Sequence, residues 1–168
     1  MDTIITKRLI LRDWNEGDSD ALFLIESNPE LTLPCGSNPI TDKNIVNEYL
    51  EYLIHKKNGF AIVLKESGKV IGSFGLNEDY KEQENVRNIG YILLKEYWNK
   101  GYMGEALKAV ISEAHKYCDA LSTVIYNNPK SEHLLKKNGF KQTDIIKDVE
   151  DDGVPEPVDM PYFYLSVK

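Results

Sequence analysis

The sequence predicts an α/β protein of the α+β kind, in which one mixed, mostly antiparallel sheet is flanked by helices. Three short apolar runs, at residues 60–65, 70–76 and 86–94, follow one another across turn-forming or polar connections, the pattern of an antiparallel meander. From Gly101 the period changes, and Ala106, Leu107, Val110, Ile111 and Ala114 recur at helical spacing before a β-branched run at residues 122–126. That is a strand–helix–strand crossover. A sheet built from both kinds of connection carries helices on both faces.

The remaining elements follow in chain order. Arg8, Leu9, Ile10, Leu11 and Arg12 alternate as a half-buried strand does, and Asp18 offers an N-cap to a short helix carrying Ala21, Leu22 and Ile25. A second helix is expected from Thr41, with Ile45, Tyr49, Tyr52 and Leu53 at helical spacing, closing at Asn58–Gly59. Ser67–Gly68 supplies the first turn of the meander. Asn128–Pro129 reads as a cap with proline at the first helical position, Leu134 and Leu135 face inward, and Asn138–Gly139 ends that helix before a strand at Phe140. The last strand is expected at residues 161–167.

A chain of 168 residues, 42% hydrophobic and 28% charged, is expected to form a single domain over residues 1–168 with a core of its own. Twenty basic against 27 acidic side chains give a net charge of -7, which argues against broad binding to nucleic acid or an anionic membrane and toward a neutral or cationic partner. Two cysteines, Cys35 and Cys118, without metal-ligand spacing point to a reducing compartment, and the cytoplasm is the expected location. No run is long enough for a signal peptide or a membrane span. His55, His115 and His133 lie apart on predicted helices with no carboxylate or cysteine at ligand spacing, so no metal is expected.

Chemistry concentrates in residues 88–106, NIGYILLKEYWNKGYMGEA, where a strand ends in a glycine-containing loop that opens onto an amphipathic helix. The first-turn amides of a helix have no internal partner and the macrodipole adds positive potential, so Gly101 and Gly104 would let a pyrophosphate approach the backbone, with Lys100 adding a charge. Taken alone, glycine before a helix is more often turn chemistry. Neither a GxxxxGK[ST] loop nor a dinucleotide-type GxGxxG occurs.

Three blocks in order, RLILRDW at residues 8–14, IGYILLKEYWNKGYMGEAL at 89–107 and NPKSEHLLKKNGF at 128–140, resemble the GNAT superfamily of acetyl-CoA-dependent N-acetyltransferases. Within it they look most like the branch of ribosomal-protein N-terminal (alanine or serine) acetyltransferases. The family's pyrophosphate pattern, [Q/R]-x-x-G-x-[G/A], falls on Trp98, Gly101 and Met103, so Gly101 matches and the flanking positions depart. The resemblance implies a GNAT-like fold and acetyl-CoA as the acetyl-donor cosubstrate. It assigns pyrophosphate binding to Asn99, Lys100, Gly101, Met103 and Gly104, and backbone pairing with the pantetheine arm to Tyr91 and Leu93. A main-chain amide near Leu93 would polarise the thioester carbonyl, and Asn128 would also touch the cofactor.

The resemblance also implies roles in proton transfer. Many superfamily members carry a tyrosine acid where this chain has Leu135, whereas the N-terminal acetyltransferase branch has a serine that matches Ser131, the expected proton donor to the departing thiolate. That branch often carries glutamate directly before IGY, where this chain has Asn88, so Glu78, or its neighbour Asp79, is the expected base. Cys35, in LPCGSNP, would border the acceptor pocket without a covalent role. The acidic stretch of residues 148–156 could draw a cationic amine or be an exposed hairpin loop.

The implied function is N-acetyl transfer by direct attack of a primary amine, foremost a protein N-terminal α-amine. The alternatives are a small amine such as a polyamine, amino acid or aminoglycoside, or a non-catalytic acyl-CoA-binding protein. The chain is expected to act as a monomer or a homodimer.

Overall fold

The computed structural model describes residues 2–150 and 156–168. The strands are β1 (Ile4–Ile5), β2 (Leu9–Arg12), β3 (Gly59–Leu64), β4 (Val70–Glu78), β5 (Val86–Leu93), β6 (Ala120–Val124), β7 (Lys141–Val149) and β8 (Val158–Ser166). The helices are α1 (Ser19–Glu26), α2 (Pro29–Thr32), α3 (Lys43–Lys56), α4 (Tyr102–Ala114) and α5 (Pro129–Lys137). Among the described residues the strands form one sheet in the order β1-β2-β3-β4-β5-β6-β8-β7, antiparallel throughout except between β5 and β6.

Strand alternation divides the core between the two faces of the sheet. Phe60, Ile62 and Leu64 of β3 point to one side, where Ala106, Leu107, Val110 and Ala114 of α4 and Leu135 of α5 pack. Ala61 and Val63 point to the other and meet Leu22 and Ile25 of α1 and Val46, Leu50 and Leu53 of α3. Burying each large aliphatic side chain contributes about 1.5–3 kcal/mol, so both helical layers are held chiefly by these stripes.

The meander falls where the sequence places it, while the crossover's second strand, expected over residues 122–126, is Ala120–Val124, two positions earlier. The expected α3 differs in phase. Its inward face is Val46, Leu50 and Leu53, while Ile45 and Tyr52 are exposed. Asp42 caps it by accepting the N–H of Asn44, and the left-handed closing residue is Lys57, at φ 51°. Gly59 instead begins β3, where a side chain would press within 2.8 Å of the Phe74 carbonyl oxygen. Asp18 precedes α1 but caps nothing there; it accepts the N–H of Asn15, which opens a 3-10 turn, and takes both guanidinium nitrogens of Arg12.

Positions Val86, Arg87 and Asn88 pair in parallel with Ala120, Leu121 and Ser122, and there the ladder stops. β5 continues along β4 as far as Leu93, opposite Gly72, whereas β6 follows β8 to Val124, opposite Tyr162. The two central strands therefore part beyond Asn88 and Ser122. Asp79 lies beneath the point of divergence. One of its carboxylate oxygens accepts the hydroxyls of Ser122 and Tyr162, the second accepts the Lys81 and Gln83 amides and the Gln83 side chain.

Burial alone would raise the Asp79 carboxyl, but the hydrogen bonds from Ser122, Tyr162 and Gln83 outweigh it and hold it below the ordinary value. A group depressed in this way stabilises the fold above its unfolded value, near ~3.9, and loses that contribution as pH falls through the lower folded value. Asp79→Ala leaves two buried hydroxyls without their acceptor, and should cost about 3 kcal/mol in urea unfolding at pH 7. The deficit relative to the parent should narrow below about pH 4; an unchanged deficit at pH 3 would contradict the assignment.

Candidate active site

The divergence of β5 and β6 opens a cavity of about 280 Å³, walled by residues 89–92 of β5 and, on the other side, by Thr123 and Val124 of β6 with Ile125 and Tyr126 beyond it. Asn128 and Ser131 close one side, and Glu26, Cys35 and Tyr49 line another.

The backbone orientation of β5 follows from its pairing. Leu94 donates its N–H to Ile71 on the β4 side, so even-numbered positions face β4 and odd-numbered ones face the gap. The gap-facing carbonyls find partners: Tyr91 O accepts the Cys35 thiol at 3.7 Å and Leu93 O accepts the Trp98 indole N–H at 2.6 Å. By the same alternation the N–H groups of Tyr91 and Leu93 point into the gap, the geometry an extended amide chain needs in order to add as a strand. Trp98, which departs from the family's loop pattern, is thus the tie between loop and strand.

The loop from Trp98 to α4 turns twice through the left-handed region, at Asn99 (φ 58°) and Gly101 (φ 78°). The Glu105 N–H bonds to Gly101 O and starts the helical ladder, leaving the N–H groups of Tyr102, Met103 and Gly104 without partners inside the helix. Successive amides turned this way, at the positive end of a 13-residue helix, suit an anion in charge and shape. The Lys100 and Lys130 ammonium groups stand over the rings of Tyr97 and Trp98, at 5.6 and 5.2 Å. The Met103 side chain packs on the core, so its departure from the small residue of the family pattern leaves the amide in place.

Arg8 and Glu105 fix this helix end. Glu105 accepts the Arg8 N–H, the Arg8 Nε–H and the Thr6 hydroxyl, while Arg8 Nη1 donates to Lys100 O and the guanidinium lies over Tyr102. Burial would raise the Glu105 carboxyl, but Thr6 and Arg8 together hold it low. Sequence reasoning gave this pair no role, because only the β2–α4 packing brings residues 97 positions apart together.

At the other wall, Asn128 accepts the Ser131 amide with its side chain, the cap predicted for α5. The Ser131 hydroxyl shares a hydrogen bond of 2.8 Å with the Tyr91 hydroxyl. Burial pushes the Tyr91 phenol up to about 12, partly offset by Ser131 and reinforced by Cys35, so it holds its proton at neutral pH. The Tyr91 side chain was not expected in the site; only its backbone was.

The expected base is not in this cavity. Glu78 is exposed and lies on the opposite face of β4 from Ser73, Gly75 and Asn77, which line the gap, because adjacent strand positions alternate and the β4–β5 register is unbroken there. Asp79 is locked in the network described above. Asn88 lines the cavity, and its Nδ2 is buried with no hydrogen-bond partner among the described residues. Cys35 is exposed as a residue, yet its thiol sits in the cavity wall, where burial and then the charge of Glu26 raise it to about 11, unsuited to nucleophilic attack. Glu26, unnoticed in the sequence, is a half-buried carboxyl that burial raises to about 7. Of the acidic stretch, residues 151–155 lie outside the described residues. The described residues contain no helix long and apolar enough to cross a membrane and no cluster of three or more metal-ligating side chains.

A split parallel pair, with an amide-lined helix start beside it, offers a strand edge for an extended amide-containing ligand and a place for an anion at its end. Residues 8–141 match the family model described as an acetyltransferase (GNAT) domain, and the chain belongs to that family. It is an acetyl-CoA-dependent N-acetyltransferase.

A Bacillus licheniformis protein described as an uncharacterized N-acetyltransferase, p20, is 31% identical over 159 residues, covering 89% of this chain and 88% of that protein. Among solved structures, spermidine N-acetyltransferase from Vibrio cholerae, in complex with CoA and spermine, superposes with a TM-score of 0.80 at 18% identity over 95% of both chains. Ribosomal-protein-S5-alanine acetyltransferase from Vibrio fischeri also reaches 0.80, at 19% identity over 100% of this chain and 98% of that one.

A side chain at Gly101 must adopt φ 78°, at a cost of about 1–2 kcal/mol, and would stand 3.5 Å from the Arg8 guanidinium. Gly101→Val should therefore turn the loop amides away and weaken acetyl-CoA binding at least about tenfold by calorimetry. An unchanged affinity would remove the loop from the binding site.

Proposed function

We propose that the chain acetylates the N-terminal α-amine of a protein, by direct attack of that amine on acetyl-CoA held along the gap. The observation that supports the residue roles is the hydrogen bond between the Tyr91 and Ser131 hydroxyls, two neutral side chains that line the gap where β5 and β6 separate. Acetyl-CoA supplies the acetyl group as a thioester. The amides of Met103 and Gly104, with the turns at Asn99 and Gly101 and the charge of Lys100, hold the pyrophosphate; the N–H groups of Tyr91 and Leu93 align the pantetheine arm. Asn128 holds the first turn of α5 so that Ser131 faces the gap.

Ser131 donates its proton to the departing thiolate and recovers one through Tyr91, whose raised pKa keeps it protonated. A main-chain amide near Leu93, fixed in direction by the strand, donates to the carbonyl oxygen as negative charge develops. An α-amine has a reference pKa of about 7.7–8.0, so it arrives largely as the ammonium form near physiological pH and must lose a proton before it attacks.

A second acceptor class, a small polycationic amine, is favoured by the net charge of -7, which draws cations, and by the likeness to a structure solved with spermine. Thiol release measured across a panel of short peptides and free amines separates the two. Turnover on peptides with a free N-terminus and not on spermidine or free amino acids supports the first; the reverse selects the second. Binding of acetyl-CoA without turnover on any amine would leave a non-catalytic acyl-CoA-binding protein.

Ser131→Ala should lower kcat by about 10²-fold while changing acetyl-CoA affinity less than about threefold, and Tyr91→Phe should lower it less. Unchanged kcat in Ser131→Ala would transfer the acid role elsewhere.

A further inference from the structure

We infer that Glu26 is the general base of the reaction, receiving the proton of the acceptor amine on the side of the gap opposite the helix that holds the pyrophosphate. The inference rests on the acetyltransferase reading and supplies the group which neither Glu78 nor Asp79 can be.

Three observations support it. Glu26 is the one carboxylate among the described residues of the cavity wall, which also contains no lysine or arginine, so no cation competes with an incoming ammonium group. Its position is fixed: it is the last residue of α1, and its backbone carbonyl accepts the Ile40 N–H at 2.8 Å, joining the helix end to the chain that follows the Leu33–Cys35 turn. A carboxylate there receives no help from the helix dipole, whose C-terminal end is negative. Finally, the titratable groups that share the cavity are Cys35 from the turn, Tyr49 from α3, Tyr80 after β4, Tyr91 from β5 and Tyr126 after β6, all neutral when protonated. Glu26 itself raises Cys35 and Tyr49 further, which places its charge close to both.

Burial without an opposing cation raises the carboxyl to about 7, which suits it both to take a proton near neutral pH and to give it up to water. A cationic acceptor entering the cavity brings the counter-charge that this wall lacks.

The proton balance is then complete. An incoming ammonium group loses one proton to the Glu26 carboxylate, and from there to solvent. The freed nitrogen lone pair forms the N–C bond as the C–S bond breaks, its electron pair staying on sulfur. The sulfur takes a proton from Ser131, and the nitrogen's second departing proton restores that hydroxyl through Tyr91. The products are the amide, the thiol and one released proton.

The test is the pH dependence of kcat between pH 5.5 and 9.5 for the parent, Glu26→Gln and Glu26→Asp, on whichever acceptor of the panel turns over, with acetyl-CoA affinity measured by calorimetry. In the parent, kcat should fall about tenfold per pH unit on the acid side, below the carboxyl's value in the substrate complex, which a bound cation draws under that of the free protein, and level off above it. Glu26→Gln should lose that limb and about 10²-fold in kcat at pH 7.5, with acetyl-CoA affinity within about twofold. Glu26→Asp, which keeps a carboxylate one methylene shorter, should keep the limb at reduced rate. A Glu26→Gln enzyme with the parent's limb and kcat within about threefold overturns the base assignment while the acetyltransferase reading stands. No turnover by the parent on any amine, with acetyl-CoA bound, overturns both.

Discussion

The fold is organised by a competition for partners at the centre of its sheet. β5 keeps its antiparallel ladder with β4 to Leu93, β6 keeps its own with β8, and the parallel ladder between them ends after three positions. A strand edge left open inside a protein carries backbone groups that must be satisfied. Here Cys35 and the Trp98 indole take two of the carbonyls, and the amide N–H groups of Tyr91 and Leu93 are left turned toward the gap. The same divergence that forfeits sheet hydrogen bonds thus builds a surface for an extended amide-containing ligand. Asp79 sets its lower limit, because the carboxylate ties the end of β4 to Ser122 of β6 and Tyr162 of β8 where the strands begin to part.

The upper limit is set by electrostatics on a smaller scale than the net charge. A chain at -7 repels anions at long range, yet screening confines that field to about a Debye length, ~8 Å at physiological salt, and local dipoles dominate within contact distance. The start of α4 is such a place. Its first-turn amides point out of the helix end by helix geometry, and Glu105, hydrogen-bonded to Arg8 and Thr6 from the β2 region, ties that turn to the sheet. An acidic residue in the first turn also favours the helix dipole directly. Arg8 thereby links the first family-like block of the sequence to the second, although neither contains a residue of the proposed chemistry that depends on it for proton transfer.

What the sequence made legible was local. The change of period at Gly101, the Asn128–Pro129 cap and the meander depend on neighbours within a few residues, and they appear as expected. The phase of α3 and the direction of Glu78 are harder to read because each turns on a face. Ile45 and Tyr52 look like core residues in a helical repeat, but they are exposed; the buried stripe runs through Val46 and Leu50 to the expected Leu53, with Tyr49 half-buried against it. Glu78 is one residue from Asn77, which does line the gap, and a single step along a strand reverses direction. Glu26 and the Arg8–Glu105 pair were out of reach for a different reason: no local pattern marks a carboxylate at a helix end as buried, and the contacts that bury it come from segments far away in the chain. A C-terminal helical glutamate followed by a cap other than glycine was the only signal available, and it is a weak one.

One physical effect, burial, acts on the two walls of the gap with opposite chemical consequences. Desolvation disfavours the charged form of any acid, so it raises both the Tyr91 phenol, to about 12, and the Glu26 carboxyl, to about 7. The tyrosine starts near 10 and is carried further from neutrality, which keeps it a proton donor linked to Ser131 throughout the physiological range. The glutamate starts near 4.5 and is carried into that range, where both protonation states are populated. One effect thus carries two residue types to different parts of the acid–base scale because their reference values differ, and no lysine or arginine stands among the described residues of the cavity wall to oppose it. On the proposed reading the direction of transfer follows from the same asymmetry: the amide-lined end would receive an anion, the carboxylate end a cation, and the thioester and the amine would meet between them.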